Sequence, residues 1–356
     1  MASFDLDYPR AVLLALVVVT GIAIVVAAST SSASFGVYNA AWNGASELRA
    51  QADEAGTESD IVRNTTAYGD VEANGTVAVV LSPDAGYGPG EVARVRQFVA
   101  SGGTLVVAED FGSHGNDLLA GVGATARVDG RLLRDDRYNY RSPAMPIARG
   151  VSNRSLTRGV EQVTLNYGTG VEPNGATVLV NTSGYAYFDE NGNEELDENE
   201  TLGTYPVATV ERVGNGSVIV LGDPSALINV MVERPGNRAF VGNLFGAHER
   251  VLLDYSHVRG FPPLALALLV LRDSIVLQLA LGVGGIAAIG LWTRGAHERL
   301  VRIVNRRREG RYSSRPVNEA EIEAFVERRH PDWEEERVRR VLRGILNRGG
   351  ETDDDE

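Results

Sequence analysis

Residues 189–200 carry the densest run of oxygen ligands in the chain, Asp-Glu-Asn-Gly-Asn-Glu-Glu-Leu-Asp-Glu-Asn-Glu. An EF-hand-type loop binds Ca2+ through positions 1, 3, 5, 7, 9 and 12, position 7 acting through its backbone carbonyl. Counted from Asp189, those positions are Asp189, Asn191, Asn193, Glu195, Asp197 and Glu200, and Leu196 fills the apolar position 8. Glu194 stands at position 6, where Gly is usual for the sharp turn. The flanks, 185–188 and 206–213, read as strands rather than helices. The expectation is therefore a structural Ca2+ loop in a hairpin-like insertion. Against it stands the plainer reading of a solvated acidic loop, which an acidic chain produces easily.

A second set of polar residues follows apolar runs: Ser82 and Asp84, Glu109 and Asp110, Asp223 and Ser225. In open α/β sheets, ligands sit beyond the carboxyl ends of the strands. If the strands are neighbours, these carboxylates converge on one edge and could hold a cation or a polar ligand. Capping and turn chemistry favours the same residue types at the same places. The stretch Glu109-Asp110-Phe111-Gly112-Ser113-His114 has the look of a strand-to-helix elbow. Ser113 and His114 are immediate neighbours, however, and Gly-x-Ser-x-Gly is not matched. No catalytic residue is assigned.

The elements that must position these residues follow from the hydrophobic pattern. Residues 77–81 are a short apolar, β-branched run, broken by Ser82-Pro83-Asp84. Residues 91–101 place Val92, Val95, Phe98 and Val99 at helical spacing, and Gly102-Gly103 ends that helix. Residues 104–108 form a second apolar run. Strand, helix and strand in so few residues make a βαβ unit, and continuous apolar strands imply a sheet covered on both faces. Further strands are expected at 177–180, 206–213 and 217–222, the last two joined by Gly214-Asn215-Gly216. The fold class is α/β: a flavodoxin-like three-layer domain with an antiparallel edge. Residues 124–170 are polar, rich in Arg and Tyr and weakly patterned, and no element is assigned to them.

The order LSPD, a helix ending SGG, TLVVAED, then VGNGSVIVLGDPSALIN before an Asn-containing helix resembles a family of uncharacterised membrane proteins. Its members carry a class I glutamine amidotransferase-like ectodomain, and the resemblance covers residues 35–245. It implies an amidotransferase-like fold; separately, the acidic, lysine-free composition resembles that of proteins from halophilic archaea. The family resemblance also implies a role beside a MoxR-type AAA ATPase. True amidotransferases need a Cys nucleophile on their elbow. This chain has no Cys, so that activity is not expected.

Two uncharged apolar runs, 11–28 and 274–292, suggest transmembrane helices. Eight Arg between 294 and 315 face only Glu298 and Glu309, which predicts a cytoplasmic tail by the positive-inside rule. The expected organisation is a cytoplasmic N-terminus (1–10), a first span (11–28), an extracytoplasmic α/β domain (29–261), a second span (274–292) and a cytoplasmic tail (293–356). Six Asn-x-Ser/Thr sequons, at Asn64, Asn74, Asn153, Asn181, Asn199 and Asn215, all fall in the middle domain. In the tail, Ile322, Phe325 and Val326, then Val338, Val341, Leu342, Ile345 and Leu346, predict two short amphipathic helices around Pro331. The end, 351–356, is acidic. A net charge of -13 without a single Lys argues against nucleic acid. Membrane lipid and protein partners, in the membrane or at the tail, are expected instead.

The function read from these features is that of a membrane-anchored, non-enzymatic binding or scaffold protein, accessory to a MoxR-type ATPase system. One alternative is a metal-assisted hydrolase or transferase acting on a cell-envelope substrate. Another is an accessory subunit of an ABC-type transporter.

Overall fold

The computed structural model describes residues 8–29, 31–258, 262–264, 267, 270–271, 274–293, 319–331 and 333–348. It falls into two units, residues 1–270 and 271–356.

The first unit is a mixed α/β fold around an eight-stranded sheet. Its strands are β1 (Glu58–Val62), β2 (Thr76–Leu81), β3 (Thr104–Ala108), β5 (Gly150–Val151), β6 (Thr177–Asn181), β8 (Pro206–Val213), β9 (Gly216–Leu221) and β10 (Arg250–Asp254). Outside it, β4 (Leu132–Asp135) pairs antiparallel with β7 (Ala186–Asp189). The sheet order is β1-β10-β2-β3-β9-β8-β6-β5. The first five strands run parallel, and the last three add an antiparallel edge.

The parallel strands are apolar throughout because both faces are covered. Along β2, Val77, Val79 and Leu81 enter one core while Ala78 and Val80 enter the other. Helices α2 (Glu47–Glu54) and α6 (Pro235–Gly246) close the first face with Leu48, Phe240 and Leu244. Helices α3 (Pro89–Ala100) and α4 (His114–Val122) close the second with Val95, Phe98, Leu118 and Leu119. Each such side chain contributes about 1.5–3 kcal/mol on burial. α3 begins where Pro89 presets the first turn and the Glu91 carboxylate accepts the Gly88 N–H at 2.8 Å. It stops at Gly102, whose φ of +112° suits only glycine. Between α4 and α6, α5 (Asn229–Val232) is a single turn.

The pattern missed two strands of the parallel sheet, β1 and β10. β1 is an edge strand that begins Glu-Ser-Asp, and β10 is five residues long and follows a helix directly.

The two apolar runs lie on helices α1 (Tyr8–Ser29) and α7 (Ile275–Thr293). No helix among the described residues is long and apolar enough to cross a membrane. This corrects the expectation of two transmembrane spans, and with it the membrane localisation and the sidedness built on them. The Arg-rich stretch 294–315 and the acidic end 351–356 lie outside the described residues.

In the second unit, α8 (Glu319–Arg329) and α9 (Glu335–Arg348) pack through Val326 and Val338 against Trp333. His330 stacks on Trp333 at 4.1 Å, and the Arg337 guanidinium lies over the same ring.

Candidate functional site

The parallel strands end in register, Leu81 opposite Ala108 and Ala108 opposite Leu221. The next residues of β2 and β3, Ser82 and Glu109, therefore stand side by side, with Asp223 two residues beyond the end of β9. Glu109 is fully buried. Its Oε1 accepts the Ser82 hydroxyl at 3.1 Å, the Asp110 N–H at 3.1 Å and the Gly112 N–H at 3.3 Å. Its Oε2 is buried without a partner. The following loop lies on the carboxylate: a Cβ at Gly112 would stand 2.8 Å from its oxygens, and one at Gly115 2.9 Å from the Glu109 Cβ.

Asp223 is likewise fully buried. Its Oδ2 accepts the Asn166 N–H at 2.6 Å, and the backbone N–H groups of Ser225 and Ala226 also bind the carboxylate. Its Oδ1 has no partner. Burial, reinforced by the charge of Asp110, pushes the Asp223 carboxyl up to about 8. Burial also raises Asp110, and the neighbouring Glu109 charge adds to it.

The structure thus brings Ser82, Glu109, Asp110 and Asp223 to one edge. Ser225 contributes its N–H to Asp223. Asp84 belongs to the next corner, where its N–H donates to the His257 carbonyl at 2.9 Å. Among the described residues, no group of three or more His, Cys, Asp or Glu is arranged to hold a metal ion. Ser113 and His114 open α4, as the plain turn-and-helix reading has it.

The next corner escaped sequence reasoning. Asp254, at the end of β10, accepts the Tyr68 hydroxyl at 2.7 Å and the Tyr87 hydroxyl at 3.2 Å on Oδ2. The Ser256 Oγ lies 2.7 Å from His257 Nδ1, and His257 Nε2 lies 3.1 Å from Glu91 Oε2. The imidazole stacks beneath Tyr87, with ring centroids 3.7 Å apart. Burial first, then the Asp254 charge, raises both tyrosine hydroxyls. The Gly88 N–H, followed by the His257 contacts, lowers Glu91. Hydroxyl, imidazole and carboxylate in series are the parts of a nucleophilic relay. Here the hydroxyl and imidazole sit on consecutive residues, and Tyr87 covers the ring. No spacing in the sequence links Glu91 with His257.

In the loop 189–200 the side chains of Asp189, Asn191, Asn193, Asp197 and Glu200 bond back onto the loop itself. The Asp189 carboxylate accepts the N–H groups of Gly192 at 2.7 Å and Glu194 at 3.1 Å. The Asn191 and Asn193 amides donate to Asp197 Oδ2 at 2.6 and 2.9 Å. Glu200 accepts the N–H groups of Glu190 and Asp197 at 2.8 and 3.1 Å, closing position 12 onto the loop's start. The Glu195 N–H donates to Asn193 Oδ1. Glu194 takes φ +69°, the left-handed conformation that glycine favours at position 6. The buried Arg134 guanidinium stands 3.5 Å from Asp189.

A family described as a domain of unknown function (DUF4350) matches residues 37–245. No curated protein matches the chain. Among solved structures it is similar to the mmIFT52 N-terminal domain, at 16% identity over 51% of this chain and 79% of that one, with a TM-score of 0.40. It is also similar to the cytoplasmic protein STM3548 from Salmonella typhimurium, at 12% identity over 58% and 87%, TM-score 0.33. A third is a beta-galactosidase from Bacillus circulans sp. alkalophilus, at 17% identity over 43% and 21%, TM-score 0.26. The chain spans about a fifth of that enzyme's length.

Proposed function

This chain belongs to the DUF4350 family, and from that premise we propose that its α/β domain is a non-enzymatic binding and scaffold module. One observation carries the reading. The two strand-end carboxylates best placed for chemistry, Glu109 and Asp223, are fully buried, and one oxygen of each is held by backbone N–H groups of the loops beside it. They brace the edge of the sheet instead of opening to a substrate. The absence of Cys, the nucleophile an amidotransferase needs, supports the same reading. The accessory role beside a MoxR-type ATPase, implied by the resemblance, fits such a module.

A serine-directed fluorophosphonate tests it. The expected result is no adduct at Ser82, Ser113 or Ser256 by peptide mass spectrometry. An adduct at Ser256 that disappears in His257→Ala would overturn the proposal in favour of a hydrolase.

Within this module the loop 189–200 is proposed to take a structural Ca2+. The support is the left-handed Glu194 at position 6, together with Asp189, Asn191, Asn193, Asp197 and Glu200 bonding back onto the loop. Calorimetric titration of the protein with Ca2+ is the test, and heat that is lost in Asp189→Ala/Glu200→Ala is the expected result. No heat in the unaltered protein rejects the site.

A further inference from the structure

Residues 131–149 hold five Arg and only two carboxylates, Asp135 and Asp136, in a chain of net charge -13. Two of the five are engaged: Arg131 pairs with Asp129 and Glu190, and Arg134 is buried against Asp189. Three remain at the surface on tyrosine rings. Arg137 lies over Tyr138 at 5.6 Å and over Tyr185 at 4.5 Å. Arg149 lies over Tyr138 at 5.2 Å, and Arg141 over Tyr140 at 4.9 Å. A fourth, Arg234, arrives from the start of α6 and covers Tyr140 at 4.1 Å.

None of these four forms an ion pair among the described residues. The nearby acids are spent elsewhere: buried Asp135 accepts the N–H groups of Arg137 and Tyr138 and the Ser183 hydroxyl, and Glu233 pairs with Arg238. Asp136 is the one exposed carboxylate of the segment. Arg234 is the most telling member. It occupies the N-cap of α6, whose first turn holds no acid. A cation there opposes the positive end of the helix dipole. Its Nε is buried without an acceptor. Exposed guanidinium groups without an ion-pair partner call for an anion.

We propose that this Arg–Tyr face docks an acidic peptide segment of a protein partner. The proposal rests on the binding-module reading and names its partner's chemistry. Guanidinium forks match carboxylates bidentately, and rings that already hold the side chains reduce the entropy lost on binding. Nucleic acid fits less well, because its affinity comes from neutralising many phosphates, and four Arg on an acidic protein supply few such contacts.

The test is fluorescence anisotropy of the full chain with labelled oligoglutamate, in parallel with a labelled oligonucleotide of equal charge. Oligoglutamate is expected to bind. Arg137→Gln/Arg149→Gln and, separately, Arg234→Gln are expected to weaken it about tenfold or more, as loss of central arginine anchors does. Arg49→Gln, on α2, should leave it unchanged. Tyr140→Phe should retain binding that Tyr140→Ala loses, and circular dichroism checks that each variant is folded. No binding by the unaltered chain, equal binding by the folded Arg variants, or preference for the oligonucleotide each overturns the assignment. A fluorophosphonate adduct at Ser256 sinks the binding-module reading itself and is read separately.

Discussion

The Ser82 hydroxyl at the end of β2 lies 3.1 Å from Glu109 Oε1 at the end of β3, and Ser82 holds φ +36° to reach it. An L-residue pays about 1–2 kcal/mol for a left-handed backbone. Here that cost secures a donor for a buried carboxylate. Ser82→Ala removes the donor and keeps the strain, so a loss of about 1–2 kcal/mol is expected in urea unfolding. Ser82→Gly also loses the bond but relieves the strain, and should unfold closer to the unaltered protein. If the two variants are equal, backbone strain at Ser82 plays no part.

Asp223 makes the fold sensitive to pH. Its folded-state carboxyl titrates near 8 because it is buried, whereas an unfolded aspartate titrates near 4. The folded state therefore binds the extra proton between these values, and stability falls with rising pH across that window. The contribution is fully present below about 4 and gone above about 8. Asp223→Asn should flatten this part of the stability profile measured by denaturant unfolding from pH 5 to 8. An unchanged slope would place the proton elsewhere.

Glu194 is an exposed residue in a conformation that glycine adopts freely, φ +69°. Its ion pair with Arg134 is long, 3.9 Å, and its own carboxylate is solvent-facing. Little is lost with the side chain. Glu194→Gly is expected to stabilise the fold by about 1 kcal/mol in thermal unfolding. By supplying the glycine usual at position 6, it should also tighten Ca2+ binding in the calorimetric titration. Destabilisation would show that the Arg134 contact matters more than the backbone.

The sequence made the centre of the sheet legible and lost its margins. β2, β3 and β9 are buried on both faces, so their apolar runs stand out, and the hairpin of β8 and β9 is signalled by Gly214, at φ +59°. β1 and β10 lacked that signal because one is a polar edge and the other a five-residue run behind a helix. The strand-end set was read as far as its residues, but burial could not be. In the fold, the closeness of Gly112 and Gly115 to Glu109 shows that the loop covers it. The corner of Glu91, Ser256 and His257 depends on residues far apart in sequence, and no local spacing announces it; the Arg and Tyr of 124–170 stand out in composition, but their stacking and the arrival of Tyr185 and Arg234 on it do not. The apolar runs at 11–28 and 274–292 illustrate the opposite error: composition alone suggested spans that no helix among the described residues satisfies.

Glu109 acts as a structural brace. Catalytic carboxylates are usually held at a cost to stability, so replacing one leaves a protein as stable or more so. A brace behaves otherwise: Glu109→Ala strands the Ser82 hydroxyl and the Asp110 and Gly112 N–H groups. The decisive measurement is the unfolding free energy of Glu109→Ala by denaturant titration. A loss of about 2–4 kcal/mol is expected from stranding these part-buried donors and emptying a fully buried side-chain position, while stability equal to or above that of the unaltered protein would contradict it.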